Sequence, residues 1–574
     1  MKQQLEQAVR AAVRDVYAAD SDVELTRPDE QFGDYATNVA LQLAGRLSLP
    51  PRQIAEGLAG QMLEQLADVV QDITIAGPGF LNFRLHDAVL GQQLRQTVRP
   101  DGAASRRSVA AADRTDQNGV RPAKVLVDYS DPNPFKPLHA GHLYTTLVGD
   151  VLARLIERSG AEVVRLNYGG DVGLHVGRCM WAIVQYLGGE HPNKLHDIPE
   201  GDRPAWLGAR YVEGTTAYEE DETAKQEIIV TNKRVYELHA TNDHDSPFAQ
   251  IYWTCRDWSY RYFDTFYEQL EVRPFDRYMP ESEVTPLGLQ TVREQLEKGV
   301  YEESEGAVVF KGEKYGLHTR VFINSAGLPT YEAKEVGLLL TKWRDYQFDR
   351  SIIITANEQD QYMQVALNSI EQFEPVAASR TEHITHGVVK LQGGVKMSSR
   401  RGNIVSALDI IQAARQAGQE SGLNPSEQTI LAAIKYALLK VRIGGDVVYD
   451  PKESIALEGN SGPYLQYAHA RARSILAKAQ TVGLHAETYE PGERSLARKL
   501  TEYDEVIDKA VAELMPHYIC TYLYELAQSF NSFYEHNRVI GSEREQQRLT
   551  LVAAYADTLK DGLELLGIAA PDSM

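Results

Sequence analysis

The chain has 574 residues, 43% of them hydrophobic and 24% charged, with a formal net charge of −21. That length exceeds what one hydrophobic core organises and implies roughly three or four domains. The acidic balance excludes a generic DNA coat, whose affinity rests on cationic surface, and leaves room for an RNA held along local basic strips.

The first twenty residues, MKQQLEQAVRAAVRDVYAAD, spread charge through an apolar helical stripe and lack the uninterrupted apolar core of a signal peptide. No stretch approaches the ~20 apolar residues of a membrane span. Cys179, Cys255 and Cys520 are far apart and form neither a C-x-x-C pair nor a disulfide framework. A cytoplasmic protein without membrane attachment is expected.

Residues 1 to about 100 alternate helix patterns with one clear strand, Phe80–Leu85, after the turn AGPG, so an α+β N-terminal domain is predicted. Residues 101–123 are small, polar and aperiodic, the composition of a linker. From Lys124 the pattern changes to strand (AKVLVDYS), helix (Leu143–Ser159, stopping at Gly160), strand (AEVVRLNYG) and helix (GLHVGRCMWAIVQYLG). This alternation predicts an α/β, doubly wound parallel-sheet (Rossmann-like) domain over residues 124–405, with ligands beyond the carboxyl ends of its strands. An acidic insertion occupies residues 188–250, after which the sheet is expected to resume at AVVFKG and SIIITAN. Residues 406–574 read as an all-α bundle; Leu523, Leu526, Ala527, Phe530, Phe533 and Tyr534 follow the i, i+3, i+4, i+7 stripe of a packed helix.

The first strand runs into DPNPFKPLHAGH, which sets His139 and His142 three residues apart at a helix N-terminus. Metal binding, phosphate binding and plain capping compete for such a turn. No H-E-x-x-H or cysteine cluster supplies further ligands, so no metal site is predicted. The place of the turn, at the carboxyl end of a parallel strand, favours a phosphate held by free N–H groups and imidazole donors, with Gly141 permitting close approach. The usual glycine-rich phosphate loops are absent. A second cationic element, LQGGVKMSSRRGNIV, carries Lys396, Met397, Ser398, Arg400 and Arg401 in an otherwise acidic chain.

Together, HAGH and KMSSR resemble the two signature motifs of class I aminoacyl-tRNA synthetases. The blocks DPNPFKPLHAGH, NYGGDVG, GLPTYEAKEVGL, GPYLQYAHARARSIL, YLYELAQSFNSFYEHNRV and IAGPGFLNFRL, in this order but for the last, which lies N-terminal, resemble those of arginyl-tRNA synthetases over nearly the whole chain. The resemblance implies an arginine–tRNA ligase that forms arginyl-adenylate from ATP, with Mg²⁺, and passes the arginyl group to tRNA(Arg). It assigns ATP to Lys136, His139, Gly141, His142, Lys396, Met397, Ser398 and Arg400. A guanidinium has five donors and no acceptor, so it needs a carboxylate and neutral oxygens. Tyr331 and Glu335, at i and i+4, present a phenol and a carboxylate on one helix face. The resemblance adds Gln359, and assigns Asp128 and Asn133 to the α-amino group. It also implies that residues 406–574 bind the anticodon, that the N-terminal domain contacts the tRNA D-loop, and that arginine activation depends on bound tRNA.

Three positions depart from the family pattern: Glu335 stands where aspartate is usual, Val172 where tryptophan is common, and Ser399 where a second lysine is common. Lys136 is thought to supply the charge which that lysine otherwise carries. For RNA, Phe80 and Asn82 beside the AGPG turn, and Tyr464, Tyr467 and Arg471 on one helical face, are candidates for base stacking and backbone contact, or else for core packing. A monomer is expected. The alternatives are a catalytically silent RNA-binding paralogue or another class I synthetase, such as a cysteinyl enzyme using Cys179 or Cys255.

Overall fold

The computed structural model describes residues 1–97, 122–392, 405–422, 424–479 and 488–574. Nearly all of the expected linker, and residues 393–404 with Lys396, Met397, Ser398 and Arg400, lie outside them.

The N-terminal domain contains helices α1 (Lys2–Tyr17), α2 (Val39–Leu47), α3 (Pro51–Gln65) and α4 (Asp87–Thr97). They accompany strands β1 (Tyr35–Thr37), β2 (Val70–Ala76) and β3 (Phe80–Leu85), in the antiparallel order β1-β3-β2. Only β3 was legible as a strand. β2 is half exposed and carries Gln71, Asp72 and Thr74, so its apolar signal is too weak to stand alone; pairing with β3 from Val70 to Ala76 makes it a strand.

The central region begins with β4 (Lys124–Asp128), α5 (Ala140–Arg158), β5 (Glu162–Gly169) and α6 (Leu174–Leu187). The insertion is helical, comprising α7 (Arg203–Glu220), α8 (Glu222–Ala240) and α9 (Pro247–Gln269). It packs against α6 over a core including Val176, Met180, Ile183, Val235 and Phe248. Then come β6 (Arg277–Pro280), α10 (Glu281–Glu297), β7 (Glu302–Ser304), β8 (Ala307–Phe310), β9 (Arg320–Ile323) and α11 (Tyr331–Tyr346). The region ends with β10 (Arg350–Ala356), α12 (Asp360–Glu371), α13 (Pro375–Ser379), β11 (Thr381–His386) and β12 (Val389–Leu391).

Five strands form the parallel sheet, in the order β11-β10-β4-β5-β6. SIIITA joins it as β10, but AVVFKG does not. It is β8, the middle strand of a separate antiparallel sheet, β7-β8-β9. A turn at Glu305 and Gly306, both at positive φ, folds β8 directly back on β7, and a hairpin of this kind cannot enter a parallel ladder without a long crossover. The strand order reverses between β4 and β10, β5 and β6 being added on one side of β4 and β10 and β11 on the other, so the crevice beyond their carboxyl ends is the topological switch point at which such sheets bind ligands.

The C-terminal region holds α14 (Ala407–Glu420), α15 (Glu427–Leu439), β13 (Val447–Tyr449), α16 (Pro451–Ser454), α17 (Gly462–Leu476), α18 (Pro491–Leu500), α19 (Tyr503–Glu513), α20 (His517–His536) and α21 (Glu545–Leu565). It is helical apart from β13, which pairs in parallel with β12. One core runs from α5 (Leu143, Leu147, Val151) into this bundle (Ile434, Leu465, Leu523, Leu559). The N-terminal domain docks on the same bundle through ion pairs. Buried Arg494 reaches Asp34 at 2.7 Å and Asp87 at 3.0 Å, and Arg27 reaches Glu505 at 2.6 Å.

Candidate active site

The crevice is built first by the segment joining β4 to α5. Ser130, Asp131 and Phe135 adopt positive φ there, a strained path for side-chain-bearing residues. Asp131 Oδ1 accepts the Tyr168 N–H at 2.8 Å, and Asn133 Oδ1 accepts the Gly170 N–H at 2.8 Å, tying the segment to the end of β5. Because Gly170 is a donor, the Asn133 amide must turn its oxygen toward it, which leaves its NH₂ free to donate elsewhere.

His139 is the N-cap of α5. The Gly141 N–H donates to His139 Nδ1, and the His139 N–H donates to His142 Nδ1, both at 3.1 Å. The rings lie against each other with centroids 3.7 Å apart. A Cβ on Gly141 would stand 2.9 Å from the His139 ring, so glycine is required there for the imidazole to fold across the turn. Burial, reinforced by Lys136 and His386, pushes His139 down to about 4. Burial, then His139 and Lys136, holds His142 well below the ordinary histidine range. Both rings are therefore neutral near pH 7. With each Nδ1 accepting a backbone N–H, the ring proton resides on Nε2, so each imidazole offers one N–H donor. Lys136 lies 5.3 Å from the centre of the Tyr211 ring of α7.

The described flank of the 393–404 segment is fastened to the same turn. The Ala140 N–H donates to Val405 O at 2.8 Å, the Ala407 N–H donates to Leu138 O at 3.2 Å, and His139 and Ser406 form an antiparallel bridge.

Beside the turn is an acidic cup. Tyr331 opens α11 and is 58% exposed, whereas Glu335 one turn later is buried. Gln359, the N-cap residue of α12, is brought to Glu335 by Tyr362: the Tyr362 hydroxyl lies 3.5 Å from Glu335 Oε1 and 3.2 Å from Gln359 Oε1. The Tyr362 and Tyr331 rings are 6.4 Å apart. Burial, with Asp128 and Glu281 nearby, pushes the Glu335 carboxyl up to about 8. Burial, followed by Asp128, drives Asp131 well above the ordinary carboxylate range. Two ammonium groups oppose these acids. Lys342 lies 2.6 Å from Asp128 Oδ2, and Lys334 pairs with Glu281.

Tyr331, Glu335 and Gln359 thus converge, and Asn133 stands at the neighbouring strand end. Asp128 differs from expectation: it is 1% exposed and engaged by buried Lys342, so it lies beneath the cup instead of reaching into the crevice. Val172 packs with Phe135, Val176 and Cys179 in the core shared with the insertion. Lys342 and Tyr362 were missed. Tyr362 had a local signal, sitting three residues beyond Gln359 on one helical turn; Lys342 had none.

The RNA candidates divide. Phe80 is 41% exposed at the turn formed by Gly77 and Gly79, both at positive φ. Asn82 is 4% exposed and its Nδ2 is enclosed, so it belongs to the interior of the β-sheet domain rather than to a face for RNA. Tyr467 is 47% exposed, and Arg471 lies over the Tyr534 ring at 4.8 Å. Tyr464 packs between α17 and α20, its hydroxyl accepting from Asn531 Nδ2 at 2.8 Å. Cys179 and Cys255 are fully buried in the core shared with the insertion. Among the described residues no cluster of His, Cys, Asp and Glu suits a metal ion, and no helix is long and apolar enough to cross a membrane.

Comparison with known proteins gives a consistent set of likenesses. The family model of the class I tRNA synthetase (R) catalytic domain matches residues 108–440. The arginyl tRNA synthetase N-terminal domain matches residues 1–85, and the DALR anticodon binding domain residues 465–574. An arginine–tRNA ligase from a Synechococcus species is 32% identical, covering 100% of this chain and 99% of its own. One from Bdellovibrio bacteriovorus is 29% identical over 99% and 98%. The arginyl-tRNA synthetase of Thermus thermophilus superposes with a TM-score of 0.77 at 25% identity over 100% of both chains. That of Plasmodium falciparum gives 0.79 at 21% identity, covering 100% of this chain and 99% of that one, and shares the fold.

Proposed function

Because the chain belongs to the arginyl-tRNA synthetase family and is an arginine–tRNA ligase acting on arginine, ATP and tRNA, we propose the following division of labour among its residues. The arginine carboxylate attacks the α-phosphorus of ATP; the new P–O bond forms as the bond to the bridging oxygen breaks, and pyrophosphate leaves. A terminal ribose hydroxyl of tRNA then attacks the adenylate carbonyl, and AMP departs.

The neutral imidazoles of His139 and His142 donate from Nε2 to phosphate oxygens as negative charge builds in the transition state, and the α5 N-terminus adds the positive end of its dipole. Lys136 supplies a cation on the same side, and the family resemblance assigns Lys396, Met397, Ser398 and Arg400, which lie outside the described residues, to the same nucleotide. Such chemistry needs positioning and charge stabilisation, with no protein nucleophile. Mg²⁺ enters with ATP as part of the substrate. Glu335, Tyr331 and Gln359 receive the guanidinium, and Asn133 orients the α-amino acid end. Asp128 acts from below, holding Lys342 and keeping the cup acidic. Phe80 offers a stacking platform in the N-terminal domain, and Tyr467 with Arg471 a stacking and phosphate contact in the anticodon-binding bundle; Asn82 and Tyr464 support these from within. We take the protein to work as a cytoplasmic monomer, bound to neither DNA nor membrane, and to need bound tRNA for activation.

The observation that carries this reading is the hydrogen-bonded seam joining Leu138–Ala140 of the HAGH turn to Val405–Ala407, the described residues that follow KMSSR in the chain. The experiment is aminoacylation of total tRNA with each amino acid in turn, with ATP–pyrophosphate exchange measured with and without tRNA. Charging with arginine that Lys396→Ala and His142→Ala each slow severely is expected; full charging by both variants refutes the assignment of the nucleotide site. Exchange at full rate without tRNA removes the proposed dependence.

A further inference from the structure

Glu335 and Gln359 come from different elements, α11 and the start of α12, yet one hydroxyl lies within hydrogen-bonding reach of both. We propose that Tyr362 is a positioning residue of the arginine pocket, clipping Glu335 to Gln359 and giving its single hydrogen bond to the carboxylate when a guanidinium arrives. This rests on the reading of Glu335 and Gln359 as guanidinium ligands, and the test below separates the two.

The argument is one of proton counting. A phenol carries one proton, while Glu335 Oε1 at 3.5 Å and Gln359 Oε1 at 3.2 Å are both acceptors once Glu335 is ionised. Tyr362 therefore serves one of them at a time. Glu335 is buried among acids: Asp128 at the end of β4, Asp131 in the loop that follows, and Glu281 at the head of α10. Lys342 of its own helix and the Tyr362 hydroxyl oppose them. Protonation is the cheaper state there, and the shorter contact of Tyr362 to Gln359 fits it. An entering guanidinium reverses the balance. Glu335 releases its proton to solvent, the carboxylate becomes the better acceptor for the Tyr362 O–H, and the Gln359 oxygen is freed to accept a guanidinium N–H. Charge-assisted hydrogen bonds are the stronger kind, so the exchange favours the bound state. The half-buried Tyr362 ring, beside Tyr331, keeps the clip in place through the change.

The test is Tyr362→Phe in the full-length protein, which keeps the ring and deletes only the hydroxyl. Charging kinetics are measured against pH at saturating ATP and tRNA. The KM for arginine should rise about 3- to 10-fold, the worth of one hydrogen bond, with kcat little changed. The pH above which arginine binds tightly should move upward, because the carboxylate has lost a donor that stabilises its charge. Unchanged KM and pH profile overturn the proposal, as does an equal loss in kcat with the profile unmoved, the mark of a packing defect. If Glu335→Gln and Gln359→Ala themselves leave the arginine KM unaltered, the pocket assignment fails, and the clip with it.

Discussion

On the proposed assignment of Glu335 to the guanidinium, arginine recognition should depend on pH in the direction set by its raised carboxyl. Burial raises the carboxyl from its ordinary 4.5 to about 8. Roughly one molecule in ten then holds Glu335 ionised at pH 7, half at pH 8 and about nine in ten at pH 9. The guanidinium stays charged throughout and binds the ionised form, so apparent affinity scales with that fraction. The KM for arginine should fall about fivefold from pH 7 to 8 and about tenfold from 7 to 9, then level off. The complementary measurement is calorimetry of arginine binding at pH 7 in buffers of different ionisation heat, which should detect close to one proton released. Linkage gives the sign for stability as well. A carboxyl raised on folding favours the folded protein in acid, and that contribution is lost as pH rises through about 8 unless arginine is bound. Glu335→Gln should bind arginine weakly with no such limb. A wild-type KM that is flat between pH 7 and 9, or that rises with pH, would refute the claim that this buried carboxyl receives the substrate cation.

Three other outcomes are expected. His142→Ala should lower the exchange rate by roughly 10²- to 10³-fold with the arginine KM little changed, as for a donor felt in the transition state; an unaltered rate excludes the ring from the chemistry. Phe80→Ala should raise the KM for tRNA by about 5- to 100-fold, the range for one lost base stack, while leaving the KM values for arginine and ATP in place; an unchanged tRNA KM would make the exposed ring incidental. Arg494→Ala removes the nearer of the two cations on buried Asp34, leaving Arg498 at 3.6 Å, and should cost about 3 kcal/mol in urea unfolding, the low end for breaking a buried pair, against under about 1 kcal/mol for the exposed pair Arg52–Glu56.

What lay in the sequence alone was whatever repeats or contrasts over a few residues. The β-branched run of β10, the strand–helix alternation from Lys124, the two-histidine turn and the one-turn spacing of Tyr331 and Glu335 are local patterns, and the structure realises each of them. Tertiary structure decided everything that depends on which distant segment lies alongside. It made a strand of half-polar β2 by pairing it with β3, turned β8 away from the parallel sheet into a hairpin, and buried Asn82 while exposing Phe80 two residues earlier. It also set Lys342 under Asp128 and Tyr362 between Glu335 and Gln359. The physical reason is that burial and charge pairing arise between elements remote in the chain: a carboxylate is an ordinary acid or a half-protonated one according to neighbours that its own stretch of sequence does not contain.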